Sequence, residues 1–170
     1  MNNFDPQLLS FFQKNKNSFD YYEHIPIFTV EEGEAIKHSI PGKHTKNLFL
    51  SDKKWWFYLI SIESHKRFPV TAFRKHLWLK DLSFGSPEQL FEMLKLTPWS
   101  VSLFWLIHNQ PATLNVFIDH DLRTAPLVWR HPNRNDATIC VSHANLEKFL
   151  KNTGHKAQIV TFDNENIIKI

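Results

Sequence analysis

The sequence predicts an α+β fold, a single domain in which a mixed, mostly antiparallel β-sheet is flanked by short helices. Three observations lead there. Apolar runs with strand character are interspersed with capped helix starts, but without the regular strand-helix-strand alternation that builds a parallel sheet. Polar turns separate neighbouring runs at hairpin distance, as Ser51-Asp52-Lys53-Lys54 does between residues 44–50 and 55–60. The chain has 170 residues, 42% hydrophobic and 22% charged, which fits one domain with a proper core and no internal repeat or low-complexity linker.

The elements follow in order. Asp5-Pro6 supplies a cap and a proline at the first helical position, and Leu8, Leu9, Phe11 and Phe12 give the apolar stripe of a helix to about residue 14. Residues 19–28 read as extended, with Pro26 marking an edge or a bend. Thr29 and Glu32 have the spacing of a capping box and predict a short helix to about residue 38, ended by Pro41-Gly42. After the hairpin, residues 69–77 form another helix with Phe73 and Leu77 on one face, and 82–84 are extended. Ser86-Pro87-Glu88-Gln89 opens a helix that buries Leu90, Phe91 and Leu94 until Thr97-Pro98 stops it. Residues 101–107 are expected to be a strand, turned at Asn109-Gln110-Pro111 into an antiparallel partner at 114–118. Strands at 127–130 and 137–141, a helix at 145–151 closed by Gly154, and a strand at 158–162 complete the chain.

Several classes of chemistry are excluded. No apolar run approaches the roughly 20 residues needed to cross a bilayer, and the first residues carry no basic leader, so the chain is expected in the cytoplasm. The single cysteine, Cys140, rules out an intrachain disulfide and reads as a small buried apolar residue of a strand. The glycines are too scattered for a dinucleotide loop, and Lys37 stands where a P-loop ending at Gly42-Lys43 needs its first glycine. The histidines make no H-E-x-x-H or zinc spacing, and there is no G-x-S-x-G elbow. Neither a cofactor nor a metal is expected.

Charge is unevenly spread. Residues 37–80 hold ten basic side chains against Asp52 and Glu63, a net +8 in a chain of net +3, which leaves −5 for the remainder. With Trp55, Trp56 and Trp78 interleaved, this favours a face for a polyanion over a solvated basic surface. The same tryptophans read equally well as core.

Two polar constellations stand out. In His44-Thr45-Lys46-Asn47-Leu48-Phe49-Leu50, alternation puts Lys46 on the face of Leu48 and Leu50. A lone ammonium there is costly unless the strand end opens onto a cleft; the competing reading is a frayed end with the ammonium in solvent. Arg130-His131-Pro132-Asn133-Arg134-Asn135-Asp136-Ala137-Thr138 lies between two apolar strands. It is either a binding loop on a rigid sheet or a plain turn.

Six pieces then occur in a recognisable order: Phe28-Thr29-Val30-Glu31-Glu32, residues 44–50, Phe84-Gly85-Ser86-Pro87-Glu88, Leu96-Thr97-Pro98, His131-Pro132 with Asn135-Asp136-Ala137-Thr138, and Phe149-Leu150 through Thr153-Gly154-His155. On these pieces, over about 130 residues, the chain resembles the trans-acting prolyl-tRNA editing proteins of the YbaK type, free-standing relatives of the editing domain inserted in bacterial prolyl-tRNA synthetases. The resemblance implies a YbaK-like fold and hydrolysis of a wrongly attached amino acid, typically alanine, from proline tRNA. It puts the family's essential lysine on Lys46, its neighbouring amide on Asn47 and its pocket histidine on His131, with Thr45, Val101, Asn135 and Thr138 as further substrate contacts. An aminoacyl ester is already activated and has a neighbouring 2′-hydroxyl, so electrostatic anchoring by Lys46 would suffice without a protein nucleophile. Lys43, Lys53, Lys54, Lys66, Arg67, Arg74 and Lys75 become the face for the tRNA acceptor stem and 3′ end.

One departure bears on catalysis. Where the family has a G-x-x-x-P loop, this chain has Trp99-Ser100-Val101-Ser102-Leu103, and Trp105 replaces a usually small residue. Three expectations follow: backbone amides near Ser100 still act as oxyanion donors beside Trp99; the pocket is reshaped for another amino acid; or the chain is a tRNA-binding or synthetase-associated module without catalysis. Prolyl-tRNA synthetase is an expected partner, and a monomer is the expected state.

Overall fold

A computed structural model of the protein describes residues 4–36, 39–96, 101–163 and 166–169. The chain begins with α1 (Pro6–Lys14), β1 (Asp20–Glu23) and α2 (Val30–Ile36). The hairpin β2 (Thr45–Ser51) and β3 (Phe57–Glu63) is followed by α3 (Val70–His76), β4 (Ser83–Phe84), α4 (Pro87–Leu94) and a 3-10 helix (Leu103–His108). The remainder is β5 (Asn115–Asp119), α5 (His120–Arg123), β6 (Val128–Arg130), β7 (Ala137–Val141), α6 (His143–Asn152) and the pair β8 (Ala157–Asp163) and β9 (Asn166–Lys169).

Local side chains start the helices where expected. Asp5 Oδ1 accepts from Leu8 N at 2.7 Å. Thr29 and Glu32 close their capping box in both directions, as do Ser86 and Gln89. The last helix starts earlier than expected because Ser142, not Asn145, is its cap, with Asn145 N as the donor. The expected ends of two helices, at residues 37–38 and at Thr97-Pro98, lie outside the described residues. In α4 the turn already ends at Lys95, which takes φ 58°.

The strands form two sheets rather than one. The larger has the order β4-β2-β3-β5-β8-β9 and the smaller β1-β7-β6. Pairing is mixed and mostly antiparallel: only β3–β5 and β5–β8 run parallel. The main core lies between the sheets, with Phe49, Leu59, Val116 and Ile118 from the larger meeting Val128, Ile139 and Val141 from the smaller. On the other face of the larger sheet, Leu50, Ile60, Phe117 and Phe162 pack around Phe73 of α3. A third cluster, Ile40, Trp129 and Cys140, covers the outer face of the smaller sheet. Cys140 is buried there, and desolvation pushes its thiol up to about 12, in keeping with an inert packing residue.

Two expectations about strands are corrected. Residues 103–108 are a 3-10 helix, started by Ser102 Oγ, which accepts from Phe104 N, and Leu103, Phe104 and Leu106 are all buried. A short continuous apolar run has no period to separate strand from helix, so the cap decided. The hairpin expected with 114–118 is therefore absent, and β5 instead sits between β3 and β8. Trp55 and Trp56 belong to the β2–β3 turn, not the strand. Asp52 Oδ1 accepts from Lys54 N and Trp56 N, which holds Trp55 at φ 62° and leaves both indoles exposed.

Two histidines are built into the main layer in neutral form. His155 is buried between Thr153 Oγ1 (3.1 Å) and Asn109 Oδ1 (3.0 Å), and His108 stacks on Trp105. Burial lowers the pKa of each below the ordinary 6.5. Above 6.5 both are neutral folded or unfolded, and their share of stability is complete. As pH falls below 6.5 the unfolded chain takes up protons that the fold refuses, so stability drops towards the lower folded values. Thermal unfolding at pH 7.5, 6.5 and 5.5 should show little change across the first interval and a clear fall across the second.

Candidate active site

The two sheets meet at the start of β2. Lys43 N donates to Leu127 O at 2.9 Å and Trp129 N to Lys43 O at 2.8 Å. Two residues on, Thr45 Oγ1 donates to Trp129 O at 2.8 Å, so the hydroxyl proton of this expected substrate contact is engaged by the fold. Beyond the joint, β2 divides the expected constellation. Successive strand residues face opposite ways. Thr45, Asn47 and Phe49 face the main core, whereas Lys46, Leu48 and Leu50 face the α3 side, with Lys46 opposite Ile62. Burial lowers the Lys46 pKa from its ordinary value, and the charge of Glu63 opposes that shift.

Asn47 holds the centre of the site. Its Nδ2 donates to Val101 O at 3.1 Å, while its buried Oδ1 has no partner among the described residues. Asn47 and Val101 line a cleft of about 340 Å³ with Leu48, Phe49, Phe84 and Gly85. Next to Val101, Ser102 Oγ donates to His131 O at 2.7 Å, tying this segment to the polar loop. Trp99 and Ser100 lie outside the described residues. Gly85 shapes the rim of the cleft, since a Cβ there would meet the Phe49 ring at 2.4 Å. Gly85→Ala should cost about 1–3 kcal/mol in chemical unfolding, because a buried ring must shift to admit the methyl.

The loop between β6 and β7 does not border that cleft; Arg130, His131 and Thr138 instead line a narrow neighbouring crevice with His44, Thr45 and Trp129. His131 Nδ1 lies 3.3 Å from Ala137 O. Burial drives its pKa below the ordinary histidine value, against the raising effect of that hydrogen bond, and the charge of His24 lowers it further. Asn135 contributes its backbone, accepting from Ile27 N at 2.8 Å. Thr138 Oγ1 lies 2.9 Å from Nε2 of His24, whose backbone N donates to Asp136 O. His24 was not singled out from sequence; it stands just after β1, and only the β1–β7 pairing brings it here.

Arg130, immediately before His131, was also passed over. Its side chain is 2% exposed, and Nη1 donates to Ser61 Oγ at 2.8 Å. Ser61 is the residue directly opposite Asn47 in the β2–β3 ladder. Desolvation lowers the Arg130 pKa to about 9, which leaves it charged at neutral pH. Alternation from Val128, a main-core residue, was the available signal that Arg130 points inward.

The seven expected RNA-binding cations divide. Lys53 and Lys54 in the β2–β3 turn lie close to the end of α3, which carries Arg74 and Lys75: Lys53 N donates to Asp81 Oδ1, and Lys54, Trp56 and Trp78 line one cleft. Trp55, Trp56 and Trp78 are 68%, 56% and 93% exposed, so they are not core. This group is roughly 20 Å along β2 from Lys46, at about 3.3 Å per residue. Lys43 and Arg67 are exposed. Lys66 is ion-paired with Asp119 (3.0 Å) and Asp121 (2.8 Å); burial alone would lower its pKa, and the two carboxylates more than reverse that. A larger cleft, about 510 Å³, between α6 and β8 is bordered by none of the expected site residues. Among the described residues no group of histidine, cysteine and carboxylate side chains could hold a metal ion, and no helix is long and apolar enough to cross a membrane.

Comparison with known proteins agrees with this geometry. The chain is 33% identical over 141 residues to the prolyl-tRNA editing protein ProX of Acetoanaerobium sticklandii, covering 82% of this chain and 86% of that protein. It is 31% identical over 145 residues to the prolyl-tRNA synthetase associated domain-containing protein 1 of Xenopus laevis, covering 83% and 86%. A crystal structure of an enzyme proposed to trans-edit for prolyl tRNA synthetase superposes with a TM-score of 0.67 at 17% identity, over 95% of this chain and all of that one, so the fold is shared. The profile of the aminoacyl-tRNA editing domain matches residues 24–149, from His24 beside Thr138 to Phe149 of the main core. The chain therefore belongs to the aminoacyl-tRNA editing domain family.

Proposed function

We propose that the whole chain acts as one free-standing editing domain that hydrolyses the ester of mischarged aminoacyl-tRNA, with alanyl-tRNA(Pro) as the first substrate to consider. Water attacks the ester carbonyl carbon, the bond to the terminal ribose oxygen breaks, and that oxygen takes a proton, releasing the amino acid and uncharged tRNA. Asn47 carries this reading. Its Oδ1, buried and without a partner among the described residues, belongs to a side chain lining a cleft large enough for an amino acid and suits the α-ammonium of an aminoacyl ester. Lys46, on the other face of the same strand end, suits the phosphate of the terminal nucleotide rather than the reacting carbonyl. Neutral His131 borders the neighbouring crevice with Thr45 and Thr138 and adds no charge beside the substrate ammonium. The ester needs no protein nucleophile, since the ribose 2′-hydroxyl lies next to the reacting carbon and positioning does the rest. The names of the relatives support tRNA and prolyl-tRNA synthetase as partners.

The test is release of amino acid from tRNA(Pro) charged with proline, alanine and a series of other residues. Alanine should leave faster than proline. A second reading, tRNA binding without hydrolysis, is favoured by the exposed Trp55, Trp56 and Trp78 beside the lysines of the β2–β3 turn. It predicts no release from any charged tRNA while binding persists. Under either reading, Lys53→Glu with Lys54→Glu should weaken tRNA binding about tenfold or more and flatten its salt dependence. Lys66→Ala should matter less, because two carboxylates already match that charge.

A further inference from the structure

A buried cation beside the cleft has no counter-ion. The Arg130 guanidinium has a single hydrogen bond, to Ser61, and its Nε and Nη2 are buried with no partner among the described residues. Among the described residues no carboxylate offsets its burial. Folding an isolated charge into such a place is unfavourable, and buried guanidinium groups are ordinarily matched by carboxylate or phosphate oxygens. The neighbourhood says where a match would come from. Ser61 and Asn47 stand directly opposite each other, about 5 Å apart at Cβ, and Arg130 itself lines a narrow crevice with Thr45, His131 and Thr138, three of the expected substrate contacts. The two unsatisfied groups are of opposite kind: Asn47 Oδ1 accepts, and Arg130 Nε and Nη2 donate.

We propose that Arg130 is an anion-binding residue of this crevice, receiving an oxygen anion of the aminoacyl group while neighbouring Asn47 receives its ammonium. The anion has two sources with the same chemistry: the side-chain carboxylate of an acidic aminoacyl group, or the oxyanion that forms when water adds to the ester carbonyl. The assignment rests on the deacylase reading only for the second source.

The experiment compares wild type with Arg130→Met and Arg130→Lys on tRNA(Pro) charged with alanine, aspartate or glutamate. In parallel, the binding of non-hydrolysable 3′-amide analogues of alanyl- and aspartyl-adenosine monophosphate is measured by calorimetry. With a side-chain carboxylate as the source, wild type prefers the aspartyl analogue and ester at least tenfold. Arg130→Met removes that preference and Arg130→Lys keeps part of it. With the oxyanion as the source, Arg130→Met lowers kcat on every ester at least tenfold, with analogue binding and KM unchanged. Arg130→Met should also melt no lower than wild type, since it removes an unmatched buried charge. Wild-type hydrolysis of alanyl-tRNA(Pro) that Arg130→Met leaves intact, with no shift of preference in either assay, would overturn this assignment while the deacylase reading stood. A wild-type chain that hydrolyses nothing would sink the deacylase reading alone if the aspartyl analogue still bound through Arg130, and both if it did not.

Discussion

Asn47→Ala is expected to slow alanyl-tRNA(Pro) deacylation by about a hundredfold or more, the range lost when one aligned polar group is removed from a reacting site. The side chain joins two functions that alanine removes together. Its amide nitrogen holds Val101 O at 3.1 Å and so fixes the segment that forms one wall of the cleft. Its oxygen is a buried acceptor with no partner among the described residues. Binding of tRNA should survive, because Lys53, Lys54, Arg74 and Lys75 lie at the far end of the sheet. Asn47→Gln keeps both groups but displaces them by one methylene, and should fall between the two. Single-turnover rates decide the matter: a change within twofold for Asn47→Ala would mean that the amide takes no part in the reaction.

Phe73→Ala should cost about 3–5 kcal/mol of folding stability, the usual range for emptying a fully buried phenylalanine site. The ring is completely buried, with Phe117 at 4.9 Å, Phe68 at 5.2 Å and Tyr58 at 6.2 Å between centroids. Helix α3 has only seven residues and Phe73 is its buried one, so the helix has little else to seat it on the sheet. Because Arg74 and Lys75 ride on the same helix, weakened tRNA binding should accompany the loss of stability. Urea unfolding measures the effect, and a value under about 1 kcal/mol would contradict the seating of α3 on this face.

What sequence revealed was local. The caps at Asp5, Thr29 and Ser86 are set by side chains within four residues of the groups they bond, and all three helices start where those residues say. The 3-10 helix was hidden because Leu103, Phe104 and Leu106 are buried whichever element they form. The position of β5 between two parallel neighbours depends on β8, some forty residues later, and no turn between them announces it. The site shows the same division. Lys46, Asn47 and His131 could be named from motifs, and alternation already set Lys46 on the opposite face from Asn47; only the β2–β3 register brings Ser61 opposite Asn47. Arg130 and His24 become site residues through pairings over 69 and 114 positions, to Ser61 and Thr138, beyond the reach of any window along the chain.

The central claim is hydrolysis anchored by Lys46, and one time course tests it: alanine released from alanyl-tRNA(Pro) by wild type and by Lys46→Ala, with both melting curves recorded. Wild type should release alanine, the variant should lose about a hundredfold or more, and the melting curves should coincide, since a partly exposed cation at a strand end contributes little to the fold. Equal release by the two proteins would contradict that claim.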